Sequence, residues 1–326
     1  MTDVLTVIRV FKRNLADPFV GFFPGVLFCF VGGTLLNGLD RKVYSKMQQR
    51  IGPPILQPFY DFMKLMGKET IIPYEANKPV FLGAPVVGFV ALVTIMLLLP
   101  QFGFSAFDTN NDMIVIIYLL TIPAAAIIIG GAASGSPYAG VGISREMVSV
   151  ISFELPLVMV LLAIGKKAGG DGVTFSMKAI SDYQAANGAM ITQWSMIPAA
   201  LAMLLVVPCE VGCHPFDVAE AETEICEGPL VEYSGAPLGV FKLNYYVKQL
   251  VVSALFAALF LGGKGTGIVA ADAAIFYGEC LVVTFFSMTL IRATCARLKV
   301  EQVFKFYWTV VAGLALVSLV LAWFGL

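Results

Sequence analysis

Histidine is nearly missing from this chain of 326 residues, which holds only His214, and charged residues make up just 13% of it. A soluble globular domain carries about 25% charged residues. The shortage of histidine argues against a metal centre or acid–base catalysis built on imidazoles. Glycine-rich nucleotide loops, paired metal-binding histidines and a Ser-His-Asp set are also absent, so catalysis by this chain alone is not expected. A formal net charge of -1 gives no electrostatic basis for binding nucleic acid. The six cysteines lack a regular spacing, which speaks against a secreted disulfide framework. Arg9, Lys12 and Arg13 precede an apolar run of span length without an evident cleavage site, and that first helix is expected to serve as its own uncleaved signal.

What fills the chain instead is apolar: 58% hydrophobic residues and a mean hydropathy of +0.84. The expected fold class is an all-α polytopic membrane protein, a single membrane domain over 1-326. Crossing the hydrocarbon takes about 20 mainly apolar residues. Eight runs meet this approximately: 20-39, 80-99, 113-132, 147-165, 194-211, 238-261, 268-291 and 304-325. Residues 3-16, with Val4, Val7, Ile8, Phe11 and Leu15 on one helical face, are expected to lie along the interface or extend the first span. Loops after spans one, three, five and seven carry thirteen Lys and Arg, against seven on the opposite side. That bias places both termini outside the cell membrane and the loops 40-79 and 209-237 in the cytoplasm.

The loop 209-237 holds the most unusual stretch, CEVGCHPFDVAEAETEICEGPLVEY over 209-233. Seven of the 22 carboxylates fall in it, and no Lys or Arg occurs between Lys178 and Lys242. Crowded carboxylates at a membrane mouth raise one another's pKa and become able to exchange protons near neutral pH. With Pro215 in a first helical turn, the spacing of Glu220, Glu224 and Glu227 predicts three carboxylates on one face of a short helix. A simple solvated acidic face has the same pattern.

Glu154, Glu279 and Lys248 are charges placed well inside spans. Glu154 sits about two turns into span four beside Pro156, with Ser149 and Ser152 near and Arg145 and Glu146 at the helix end. Placing a charge at such depth costs roughly 2.5 to 3.5 kcal/mol, which points to a polar cavity or a relay, although a protonated Glu bonded to backbone would also satisfy it. Glu279 in span seven is expected to be neutral, or paired with Lys248 of span six or an imported ion. Lys248 reads equally as a snorkelling side chain or a relay. Cys209, Cys213, His214 and Cys226 suggest a metal site only superficially, because Cys-x3-Cys-His matches neither a zinc ribbon nor haem attachment. In the loop 40-79 a Gly-Pro-Pro turn precedes an amphipathic helix with Phe59, Phe62, Met63 and Met66 on its apolar side, a candidate docking surface.

Four blocks occur in a telling order: RIGPPILQPFYDFMKLMGKE (50-69), ISREMVSVISFELP (143-156), EVGCHPFDVAEAETE through VEYSGAPLGVFKL (210-243), and LIRATCARLKVEQVFKFYW (290-308). Together with eight spans they resemble the family of the H-type membrane subunit (mitochondrial subunit 1) of respiratory complex I and its counterparts in energy-converting membrane-bound [NiFe] hydrogenases. The passage straight from Gly52-Pro53-Pro54 to Leu56-Gln57-Pro58, without a longer glycine-rich insert, resembles the hydrogenase-type members. Asn244 and Tyr245 stand where complex I relatives carry a membrane carboxylate, so the resemblance does not extend to a complete complex I proton path.

The resemblance implies a non-catalytic subunit of a hetero-oligomeric oxidoreductase complex that docks a redox module and couples its electron transfer to H+ or Na+ movement. It implies no cofactor in this chain, with [4Fe-4S] clusters and a [NiFe] centre in partners similar to the small iron-sulfur and large hydrogenase subunits. Further partners are antiporter-like membrane subunits and the lipid bilayer. It implies an ion path through Glu154, Glu210, Asp217, Glu220, Glu224 and Glu279, supported by Arg145, Glu146, Glu232 and Lys248. Docking is expected at Arg50, Gly52, Pro53, Gln57, Asp61, Lys64, Arg292 and Arg297. Arg292 and Arg297, with Lys299 and Glu301, are candidates to pair with the acidic stretch, although positive-inside anchoring also accounts for the basic ones. Rival readings are a quinone-reducing or sulfur-reducing complex, a passive anchor, and a stand-alone secondary ion transporter. The last would need two matching halves with interrupted helices, and none is apparent.

Overall fold

Long apolar runs become helices because only intrachain hydrogen bonding satisfies the backbone in lipid. The computed structural model describes residues 18–99, 111–170, 172–262 and 269–325, so the interfacial segment expected over 3-16 lies outside the described residues. In chain order the helices are α1 (Pro18–Met47), the short α2 (Gln57–Met66), α3 (Lys78–Leu98), α4 (Asp112–Ala133), α5 (Pro137–Gly169) and α6 (Met177–Asn187). They continue as α7 (Ile197–Val211), the single turn α8 (Glu222–Ile225), α9 (Gly235–Leu261), α10 (Ala271–Thr294) and α11 (Val300–Trp323). Among the described residues there is no strand. Seven of these helices are long and apolar enough to cross a membrane, and α1, 30 residues long, stands where the first of the eight expected spans falls.

Helix ends follow local chemistry. Proline occupies the first turn of α2, α3, α5 and α7, where its missing N–H costs nothing. Gly212, at φ +78°, closes α7 in the left-handed conformation. Proline inside a span leaves the carbonyl four residues earlier without its helical donor. In α3 Pro85 does this to Phe81, and the Tyr233 hydroxyl donates to Phe81 O at 3.0 Å in its place. The Tyr233 ring also stacks on Phe81, with centroids 3.9 Å apart.

Helix α9 is the hub. It packs against α1, α3, α7, α10 and α2, and 89% of its most apolar stretch is buried inside the chain, against 33% for α10 and α11. A helix apolar on every side is a core helix. The buried polar residues of α9 face two directions: Asn244 and Lys248 toward a chamber bounded by α4, α5 and α7, and Gln249 and Ser253 toward α1 and α10.

The amphipathic α2 is present where the sequence predicts it, with one correction. Phe59 and Phe62 meet Phe30 of α1 edge-on, at 5.9 and 5.3 Å, but Met63 and Met66 are exposed. The buried side of α2 is instead completed by Pro58 and by Leu65, which abuts Gly239 of α9.

Candidate functional site: an acidic chamber at one end of the bundle

The later turns of α4, the end of α7 and the first turns of α5 and α9 meet beneath the acidic segment and enclose a chamber of about 60 Å³. Its polar lining is Glu146 and Ser149 from α5, Glu210 from α7, Asp217 and Glu220 from the segment, and Asn244 and Lys248 from α9. A polar space of that size has room for water. Glu210 and Lys248 form a buried ion pair, Oε1 to Nζ 2.9 Å, with side chains 3% and 9% exposed. The charges of Glu146 and Glu154 also act on this group: Glu146 feels Lys248, Glu210 and Asp217, and Glu154 is near enough to act on Glu210. Glu154 is half-buried. Along α5 it lies eight residues beyond Glu146, or roughly 12 Å at helical rise.

Glu220 is the titratable group at the outer wall. Burial, reinforced by the negative charges of Asp217 and Glu146, pushes its carboxyl up from 4.5 to about 8. It is therefore mostly protonated at pH 7. Asp217 beside it accepts from Arg297 Nη2 at 2.8 Å.

The segment is fastened to the bundle at several points. Arg145 of α5 donates to Glu224 at 2.6 Å and to the Val218 carbonyl at 3.4 Å, and Leu298 N donates to Pro215 O at 3.2 Å. Gly142 allows the closest approach: a Cβ there would sit 2.5 Å from Pro229 Cδ and 2.9 Å from Gly228 Cα. Gly228 itself, at φ +55°, has the Ala219 carbonyl where a side chain would start, at 2.1 Å.

Several expectations need correction. The three-carboxylate helix does not form: only the single turn α8 is helical, and Cys226, Glu227 and Gly228 follow it in the left-handed region. Glu220 consequently lines the chamber, while Glu224 and Glu227 are exposed. Lys248 is the partner of Glu210, and not of Glu279, which lies on α10 away from the chamber. Of the basic residues in the last loop, Arg297 reaches the acidic segment, but Arg292 approaches Asp40 of α1 at 3.9 Å and covers the Tyr44 ring at 4.4 Å. Glu232 is exposed outside the chamber. Among the described residues no three His, Cys, Asp or Glu side chains are arranged to hold a metal, and burial pushes the Cys213 thiol up to about 11, which keeps it protonated.

A second buried polar network carries no signal strong enough to be read in the sequence. Asn37 donates to Gln249 at 2.9 Å, Thr289 donates to Asp40 at 2.5 Å, and Ser253 meets Thr284 at 3.0 Å. Its only trace is the i, i+3 spacing of Asn37 and Asp40 late in span one and hydroxyls around the π turn Phe285–Thr289 of α10. Toward the loop it is followed by Arg41, which donates to Asp61 at 3.2 Å, and by Gln57, which donates to the same carboxylate at 2.8 Å. Gln57, Asp61, Pro53, Arg41 and Arg292 thus border one open pocket. Two of the expected docking residues, Arg50 and Lys64, are exposed beyond it.

Fold and chamber define a class: a many-spanning helical membrane protein whose buried carboxylates and lysine gather beneath one acidic, ion-paired segment. The sequence profile of the family described as NADH dehydrogenase matches residues 22–323. The chain is 31% identical over 304 residues to the H-type subunit of the NADH-quinone oxidoreductase of Dehalococcoides mccartyi, covering 91% of this chain and 83% of that protein. It is 35% identical over 228 residues, 70% of each chain, to hydrogenase-4 component C of Escherichia coli. A chain in the structure of the membrane-bound sulfane sulfur reductase, an archaeal respiratory membrane complex, superimposes with a TM-score of 0.85 at 27% identity, covering 93% of this chain and 99% of that one. This chain belongs to the NADH dehydrogenase family, the membrane subunits common to complex I-like and hydrogenase-type respiratory assemblies.

Proposed function

We propose that this subunit docks a cytoplasmic iron-sulfur and [NiFe] module and links its electron transfer to movement of H+ or Na+ through the acidic chamber. The observation that carries the reading is the convergence of Glu220, Asp217, Glu146, Glu210 and Lys248 on one small polar space, with Glu220 poised at about 8. A redox event at a neighbouring cluster changes the field at the segment's exposed side. Protonation at Glu220 then shifts, and the buried pair of Glu210 and Lys248 responds because its charges interact with Glu146 and Glu154 at short range in low dielectric. Glu154, farther along α5, hands the change to antiporter-like subunits as a linked pKa shift. No electron carrier in this chain is needed.

The direct junction from Gly52-Pro53-Pro54 to Leu56-Gln57-Pro58 favours a hydrogenase-type redox partner. The likeness to a sulfane sulfur reductase chain supports a sulfur-reducing partner as the second reading. The test uses the whole complex purified from its own membranes. The large subunit is expected to carry nickel, and Glu154→Gln and Glu220→Gln are expected to keep electron transfer while ion uptake into vesicles falls about tenfold. Unchanged uptake in both variants would reduce the subunit to an anchor. A nickel-free large subunit with sulfur-reducing activity would select the second partner.

A further inference from the structure

One outward face of α10 carries a carboxylate that the acidic chamber does not use. Ile275, Val282 and Phe286 are 47%, 53% and 56% exposed, and with Glu279 between them they fall at the i, i+4, i+7, i+11 spacing of a single helical face. The opposite side of the same helix is spent inside the chain: Phe276, Cys280 and Val283 are buried, and the Tyr277 hydroxyl donates to Gly32 O of α1 at 3.1 Å. Glu279 is half-buried and has no hydrogen-bond or ion-pair partner among the described residues. Lys248 of the adjoining helix, the nearest candidate by sequence, is already committed to Glu210. Gly278 faces open space, since a Cβ there would meet nothing within 4 Å.

We propose that the stripe of Ile275, Gly278, Glu279, Val282 and Phe286 is an intramembrane docking surface for a transmembrane helix of another subunit, one that brings a Lys or Arg side chain to Glu279. Acyl chains offer a carboxylate no donor, and acidic residues within spans face the bundle interior or pair with a cation. Small residues such as Gly278 let a second backbone come close. A symmetric second copy of this chain is disfavoured on charge grounds, because a two-fold axis through the stripe would set one Glu279 against the other. Complementarity therefore selects a helix with a basic residue. The inference requires only that the chain works within a multi-subunit membrane complex, and it is independent of ion coupling.

A photo-crosslinking residue placed at Val282 or Phe286 of the intact complex tests it. The expected adduct joins this chain to a different membrane subunit, within a span that contains Lys or Arg. Glu279→Gln is expected to release that subunit roughly three- to tenfold more readily in detergent, while Glu279→Asp retains it. Adducts to lipid alone, adducts to a second copy, or equal retention in Glu279→Gln would overturn the proposal. If Glu279→Gln does not assemble, the crosslinks formed with Glu279 intact decide the matter. No adduct, with ion uptake still lost in Glu154→Gln, would discard this surface and leave the coupling reading standing. A mapped basic helix with uptake intact in that variant would do the reverse.

Discussion

Lys248 of α9 donates to Glu210 of α7 across 2.9 Å, and both side chains are all but closed off from solvent. Desolvating two ions costs so much that such a pair adds little net stability, yet removing one partner strands the other. Lys248→Met is therefore expected to destabilise the subunit by about 3 to 5 kcal/mol at neutral pH. Glu210→Met combined with Lys248→Met should recover most of that loss. Thermal unfolding of the purified complex, compared across the two single variants and the double variant, measures the coupling.

Glu220 gives the chamber a pH dependence of definite sign. Its folded carboxyl titrates at about 8 against an ordinary value of 4.5, so the folded state holds the proton more tightly than the unfolded one. The stabilisation is complete below about 4.5, falls as pH rises across the interval, and is gone above about 8. One component of the protonated-carboxyl absorption in infrared titration of the complex should vanish with a midpoint near 8 and be missing in Glu220→Gln. Asp217→Asn should move the midpoint downward, because it removes the largest negative charge acting on Glu220 after burial itself.

The helical frame was legible because span length and apolarity are properties of consecutive residues: all eight expected runs coincide with helices α1, α3, α4, α5, α7, α9, α10 and α11. Glu210, Asp217 and Glu220 were legible as a chemical class for the same reason. Their partners were not. Lys248 joins Glu210 from a helix 38 positions later, and nothing in spacing distinguishes that choice from Glu279, 31 positions beyond it. The 3.6-residue period misplaced Glu224 and Glu227 because it assumes the helix continues. Here the chain leaves the helix at Cys226 and Glu227, two residues in the left-handed region that ordinarily favours glycine or asparagine. Asn37, Asp40 and Gln249 carry no such sign, since isolated polar residues in apolar runs say nothing of one another until the helices are packed.

The two arginine fasteners of the acidic segment should differ in consequence. Glu224 is 57% exposed, so its pair with Arg145 is screened by water and contributes at most about 1 kcal/mol. Asp217 and Arg297 are 20% and 28% exposed and stand at the chamber wall. Arg297→Ala is expected to raise amide exchange across residues 213–221 clearly, and Glu224→Gln to leave it nearly unchanged. Hydrogen–deuterium exchange on the complex separates the two.

Tyr233 ties the end of the acidic segment to α3 through a carbonyl that Pro85 has orphaned. Removing only the hydroxyl leaves the ring free to stay stacked on Phe81 and edge-on to Phe241, 4.9 Å away, so packing is conserved and the hydrogen bond alone is lost. Phe81 O is then buried in a span without a donor from its own helix or from water, a loss of about 1 to 3 kcal/mol. Tyr233→Phe should therefore lower the thermal stability of the complex by that amount. Tyr233→Phe with Pro85→Ala should restore it, because alanine returns the helical N–H that Phe81 O lacks. Unchanged stability in Tyr233→Phe would mean that the aromatic cluster, and not the orphaned carbonyl, holds this end of the segment in place.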